Sequence, residues 1–269
     1  TLFSRRGGSF HHLLAGIKMA SADKCISSII LDIDNVSLGL AQMQELREGI
    51  LKFRKSGKQV YALMNYTGNK EYYLASAADK IYFTPNSTFA ITGLKMQVYF
   101  LKGLMDRAGV KYESVSRGKY KSFNEAFTRT EMSPAARENM LETLGDLNEQ
   151  FISGISEGRN IPSEKINELF AAGFYLPETA KEKGFIDVIM HRENAVAELT
   201  ENSNMIKFEE YIEEHERFRE WGPIPEIAVV HVTGSIISGK GGESSFSSTT
   251  GDYDYREAIE KAFTTQSVK

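Results

Sequence analysis

The chain predicts an α/β fold, a mostly parallel sheet with crossover helices. Over the first 190 residues, short apolar runs alternate with segments of helical periodicity, and strands separated by helices pair in parallel. At 269 residues, with 41% hydrophobic and 25% charged residues, the chain has the length and the composition of a soluble protein with a core or a core and a half.

Ser28 to Ile33 reads as a buried strand. Met43, Leu46, Ile50, Leu51 and Phe53 recur at helical spacing and stop before Ser56-Gly57. Gln59 to Met64 is a second strand, Tyr72 to Ala78 a short helix, and Lys80 to Thr84 a third strand closed by Pro85. Phe100 to Ala108 reads as helix and Val110 to Ser116 as extended chain. Ser133-Pro134 then supplies an N-cap and a proline at the first helical position, and Met140, Leu141, Leu144, Leu147, Phe151 and Ile155 continue a period of 3.6. Pro162-Ser163-Glu164 begins another helix with capping chemistry of its own.

Glu201 to Trp221 reads as charged and helical, and Glu193 to Glu220 most simply as a solvated helical face, with Phe208, Ile212 and Phe218 as candidates for docking onto a partner copy. Pro223 and Pro225 end it, and Ile227 to Val232 opens a new apolar strand. A repeat crosses this boundary: Ile17, Ala20 and Ile26 align at one constant offset with Ile259, Ala262 and Val268. The domain reading is therefore a first copy over 1–200, a helical linker over 201–223, and the opening strand, flexible loop and helix of a second copy over 224–269.

A net charge of -4 argues against nucleic acid or anionic lipid as a partner. The single cysteine, Cys25, excludes an intrachain disulfide, and its apolar neighbourhood predicts a buried or half-buried structural thiol. No run reaches 18 apolar residues. The five histidines show no metal-ligand spacing, and His231 reads as a structural histidine within a strand. Gly234 to Gly241 meets the spacing of a phosphate-binding loop up to its last position, where Gly241 replaces the Ser or Thr that would ligate magnesium, and a Ser/Gly/Thr-rich loop follows in place of a helix.

Chemistry concentrates in Arg117-Gly118-Lys119-Tyr120-Lys121-Ser122, just before the capped helix at Ser133. A lysine whose ammonium is disfavoured by an apolar wall can act as general base toward a serine nucleophile. Taken alone, Lys119 and Lys121 are surface lysines, and two residues apart in extended chain they point the same way. Arg129 and Glu131 read as a solvated ion pair.

Four segments resemble signal peptide peptidase A (protease IV), in that family's order: Tyr72 to Ile81 after the nucleophile turn; Gly118 to Ser122 with Met132 to Glu138 as the lysine segment; Ala180 to Asp187 as the closing motif shared with Clp proteases and crotonases; and Ile227 to Ile236 as the strand opening a second copy. The resemblance implies a Clp protease/crotonase-like fold and a catalytic Lys121, the base standing three residues after the glycine. It also implies that Asn69 occupies the position of the nucleophilic serine and that Asp34 to Gly39 is a degraded oxyanion loop. In the long, tandem form of the family the second copy carries the serine, which places it beyond Lys269. The implied enzyme degrades leftover signal peptides through a serine-lysine dyad, with no metal or organic cofactor. It would be an oligomer, a tetrameric bowl, anchored to the extracytoplasmic (periplasmic) face of a bacterial membrane. This chain alone would be inactive. Two rivals share the fold: an acyl-CoA enzyme of the crotonase type, which needs oxyanion amides near glycines, and a non-catalytic scaffold.

Overall fold

The computed structural model describes residues 10–217, 230, 232, 234–243 and 248–264. Helix α1 (Phe10–Ala22) leads into β1 (Ser28–Ile33), α2 (Leu40–Lys55), β2 (Gln59–Met64), α3 (Asn69–Ala75) and β3 (Lys80–Phe83). There follow α4 (Lys102–Arg107), α5 (Glu125–Thr128), α6 (Pro134–Arg159), α7 (Ser163–Ala172), α8 (Pro177–Glu182), β4 (Val188–Ile189), α9 (Arg192–Thr200) and α10 (Phe208–Arg217). The four strands pair in parallel in the order β1-β2-β3-β4. This is the α/β class expected, because each parallel pair needs a crossover long enough to carry a helix.

The main core lies on one side of the sheet, under α2, α3 and α6, and a smaller cluster of Leu63, Tyr82 and Ala195 of α9 covers the other. Phe53, Val60, Ile81, Phe83, Phe89 and Phe151 are essentially inaccessible. The tyrosine pair sits at its centre for two separate reasons. The Tyr72 hydroxyl donates to the Phe185 carbonyl at 2.8 Å, which joins α3 to the turn before β4. Tyr73 stacks on Phe151 at 5.4 Å and lies beneath the Arg47 guanidinium. Burial pushes the Tyr72 hydroxyl well above its usual pKa, so it stays a neutral donor.

One device recurs at the strand starts. Asp79, ahead of β3, accepts from the Val60 amide of β2 at 2.8 Å and pairs with Arg54. Asp187, ahead of β4, accepts from the Ile81 amide of β3 at 2.7 Å and pairs with Arg159 at 2.8 Å. The closing motif thus finishes the sheet by satisfying a strand amide and a guanidinium that is 7% exposed. Asp187→Ala is expected to lower the unfolding free energy by about 2 kcal/mol, because both donors are left without their carboxylate. Urea unfolding followed by circular dichroism measures this, and an unchanged midpoint would count against it.

Several readings change. Val110 to Ser116 forms no strand; it is exposed, and Val115 is fully so. The charged helix begins only at Phe208, after a non-helical 201–207. Its Phe208 and Ile212 pack on α1 of the same unit, where a Cβ at Gly16 would run into the Phe208 ring, so these two do not form a stripe for a partner copy. Phe218, His231 and most of the strand expected at Ile227 to Val232 lie outside the described residues. Helix α7 is capped by Pro162 without a side-chain bond. Cys25 is exposed, because it sits in the α1–β1 turn, where its amide donates to the Asp23 carboxylate at 2.8 Å.

The chain divides into two units, Thr1–Ile212 and Glu213–Lys269. In the second, β5 (Ser235–Ile237), β6 (Gly242–Glu243) and β7 (Ser248–Gly251) form a small sheet of order β5-β7-β6, followed by α11 (Asp252–Thr264). Strand structure therefore replaces much of the expected flexible loop. Helix α11 begins and ends 242 residues after α1. In α1 the face of Leu13, Gly16, Ile17 and Ala20 is buried; in α11 no residue is buried, including the corresponding Tyr255, Ala258, Ile259 and Ala262.

Candidate active site

In parallel α/β sheets, ligands meet the loops at the carboxyl ends of the strands. Here these are 34–39 after β1, 65–68 after β2, leading into α3, and the segment from Thr84 after β3. The loops are cross-bonded. Asn65 accepts from the Thr84 hydroxyl at 2.8 Å through its side chain and from the Ser87 hydroxyl at 2.7 Å through its carbonyl.

Asn69, standing where the resemblance puts a serine, is the first residue of α3. Its amide nitrogen donates to the Gly93 carbonyl at 2.7 Å and its oxygen accepts from the Thr92 amide at 3.0 Å. Lys70 donates to the Leu38 carbonyl at 2.9 Å, and Glu71, 6% exposed, accepts from the Val36 amide at 2.8 Å. The side chain at position 69 is an amide that carries no nucleophile, and the loop amide of Val36 is already used.

The lysine segment lies on an arm running from the end of the 92–93 clamp to α6. Met96, Tyr99, Leu104, Val115 and Phe123 leave this arm exposed and apolar. Gly118 adopts φ 112, a conformation open to glycine, and turns the chain so that the Lys121 amide faces the Gly118 carbonyl at 3.3 Å. The two lysines part company here. Lys119 donates to the Tyr120 hydroxyl and to Glu138 in the first turns of α6, each at 2.9 Å. The Tyr120 hydroxyl and the Glu138 carboxylate hold its ammonium above the usual lysine range, and Lys119 in turn depresses the Glu138 carboxyl. A lysine held protonated in this way is a poor base. Lys121 is exposed at the tip of the same turn, so any apolar cover for it comes from outside the described residues.

The start of α6 is anchored as its sequence predicts and by one further group. Ser133 accepts from the Ala136 amide at 3.1 Å. Glu125 of α5 accepts from both the Ser133 hydroxyl at 2.6 Å and the Ser133 amide at 2.9 Å, and these donors lower its pKa. Arg129 bonds the Glu131 carbonyl, not its carboxylate, at 3.3 Å, so the expected ion pair is replaced by a backbone contact.

Two other places lose their claim to chemistry. In the phosphate-loop-like run, the amides of Gly239 and Gly241 donate to Asp252 and Asp254, with 2.6 Å at Gly241. Two carboxylates therefore occupy the donors an anion would need. A cleft of about 410 Å³ is lined by Gln59, Tyr61, Lys80, Tyr82 and Glu198. It opens at the amino-terminal ends of β2 and β3, and Tyr82 and Glu198 bond each other there at 2.9 Å, away from the strand ends where such sheets place their sites.

Glu71 and Glu138 were not singled out by the sequence reading. The Glu71 bond spans 35 residues and the Glu138 pair 19, separations at which periodicity gives no signal. Among the described residues no helix is long and apolar enough to cross a membrane.

The chain is 28% identical over 244 residues to the chloroplastic serine protease SPPA of Arabidopsis thaliana, covering 87% of this chain and 36% of that protein. It is 29% identical over 247 residues to Protease 4 of Haemophilus influenzae, covering 84% and 40%. A stretch of 160 residues is 32% identical to Protease 4 of Salmonella typhi, covering 59% and 26%. The chain thus spans less than half the length of these relatives. Its parallel sheet with crossover helices agrees with a Clp protease/crotonase-like α/β fold. Residues 52–206, which take in the strands β2 and β3, the tyrosine pair, the lysine arm and the closing motif, match peptidase family S49, and the chain belongs to that family.

Proposed function

We propose that this chain is the lysine-contributing copy of a signal peptide peptidase, with Lys121 as general base for a serine carried by a second copy of the fold. The carrying observation is the separation of the two lysines: Lys119 is committed to Glu138 and Tyr120, while Lys121 stands exposed on the turn they pin. Asn69 in place of a nucleophile and the 242-residue recurrence of α1 in α11 support the two-copy reading. So does the α11 face of Tyr255, Ala258, Ile259 and Ala262, none of it fully buried, whose counterpart in α1 packs into the core.

In the proposed reaction, neutral Lys121 takes the hydroxyl proton as the serine oxygen attacks a peptide carbonyl. The tetrahedral intermediate collapses to an acyl-enzyme as the amine departs with that proton, and water then releases the acid. Apolar signal peptides are the substrate class, supported by a relative in Enterococcus faecium named as a putative signal peptide peptidase, 24% identical over 207 residues, and by the exposed apolar arm that carries Lys121. Assembly as a tetramer on the extracytoplasmic face of a membrane belongs to the same reading.

The test compares these 269 residues with a longer protein that carries the second copy, both assayed on an apolar peptide ester. Hydrolysis is expected from the longer protein alone, with the shorter below about 1% of its rate, since a base without a nucleophile retains little. Equal hydrolysis by both would remove the two-copy division of labour.

A further inference from the structure

We propose that Asn69, Lys70 and Glu71 form a three-point staple that ties the loops after β1 and β3 to the first turn of α3, takes up the Val36 amide and anchors the root of the lysine arm. The inference rests on the reading above only in treating these strand-end loops as the counterpart of a peptidase site. A peptide carbonyl that develops negative charge needs free amides aimed at it. The Val36 amide in the loop after β1 instead donates to Glu71 at 2.8 Å. A carboxylate on a residue only 6% exposed has to be satisfied by donors.

A simple capping role would look different. A capping glutamate reaches back to the amide of its own helix cap, whereas Glu71 reaches a loop 35 residues earlier in the chain. Its carboxylate also folds over Gly68, where a Cβ would collide with it. Lys70 fixes the other end of the same loop through the Leu38 carbonyl at 2.9 Å. Asn69 makes a two-bond clamp on Thr92 and Gly93, in the segment after β3. The exposed arm that carries Lys121 begins directly after this clamp. The residue standing in the nucleophile's place is thus an anchor, and the first turn of α3 ties the loop after β1 to the segment after β3.

Amide exchange of the 269-residue chain, read by NMR, tests this without any peptidase assay, so its failure is separate from failure of the Lys121 reading. Glu71→Ala is expected to speed exchange at Val36 at least tenfold and to leave Thr92 within about twofold. Asn69→Ala is expected to do the reverse. Glu71→Gln keeps an acceptor oxygen and is expected to leave Val36 protected, and Asn69→Ala tests the staple at Thr92 even where Glu71→Ala fails to fold. Millimolar N-acetyl-Ala-Leu-Ala-amide is expected to leave the Val36 resonance of the parent unmoved. The proposal is overturned by unchanged Val36 exchange in Glu71→Ala, by acceleration no greater at Val36 than along β2, by exposure of Val36 in Glu71→Gln, or by a saturable peptide shift at Val36.

Discussion

Gly158→Ala is expected to unfold at a markedly lower urea concentration than the parent, while Gly145→Ala in the same helix unfolds at a slightly higher one. Alanine is the better helix former by roughly 0.5–1 kcal/mol, so an interior glycine needs a packing reason to be retained. Gly145 has none, since a Cβ there meets nothing within 4 Å. At Gly158 a Cβ would collide with the Ser76 carbonyl and come within 2.7 Å of an Arg47 nitrogen. At Gly154, one turn earlier, it would lie 2.6 Å from the Tyr73 ring. These two glycines let α6 press onto the end of α3, and Arg47 fills the seam.

Arg47 is 4% exposed. Its guanidinium donates to the Tyr73 carbonyl at 2.9 Å, to the Ser76 hydroxyl at 2.8 Å and to the Gly154 carbonyl. Burial lowers its pKa from the usual value, with the nearby Tyr73 and Glu157 acting in the opposite sense. The cost expected for Gly158→Ala is about 2–3 kcal/mol, the range for overpacking against backbone that cannot move aside. Arg47→Ala is expected to cost at least as much, because it leaves buried acceptors unsatisfied and opens a void. A Gly158→Ala midpoint equal to that of Gly145→Ala would show that the seam has slack.

This seam marks the boundary of what sequence alone makes legible. Strands Ser28–Ile33 and Gln59–Met64 appear with the bounds read from their apolar runs, and Lys80–Phe83 ends one residue earlier than read. Local chemistry sets such elements: β-branched and aromatic runs bounded by turn residues, or the Ser133-Pro134 cap of α6. The lysine segment was legible as a motif, but not the difference between its two lysines. That difference depends on Glu138, brought back by a turn at Gly118 and by the docking of α6. The exposure of Val110 to Ser116 was illegible for a related reason. Val110, Tyr112 and Val115 are residue types that favour strands, yet no neighbouring strand among the described residues supplies the pairing that a strand needs. Cys25 failed the same way in miniature, since an apolar neighbourhood in sequence did not bring burial to a residue in the turn before the strand.

Lys121→Ala in the longer protein is expected to reduce kcat/KM on an apolar peptide ester by about 10³–10⁴-fold, the scale for loss of a positioned general base. Lys119→Ala is expected to stay within about threefold. Lys119 is already paired with Glu138 on an exposed surface, and such pairs contribute little. Lys121→Arg separates two explanations that Ala confounds. Arginine keeps the positive charge but does not deprotonate in a protein, so a base role predicts loss as deep as with alanine, and a charge or docking role predicts substantial retention. Should Lys121→Arg and Lys121→Ala both retain full activity, the lysine arm is a structural surface. Should Lys119→Ala be the inactive one, the pinned lysine is released from Glu138 when the copies assemble, and the assignment made from the isolated turn is reversed. The same three variants assayed for unfolding are expected to match the parent within about 0.5 kcal/mol, as surface substitutions do, so activity lost at Lys121 would reflect chemistry at that amine.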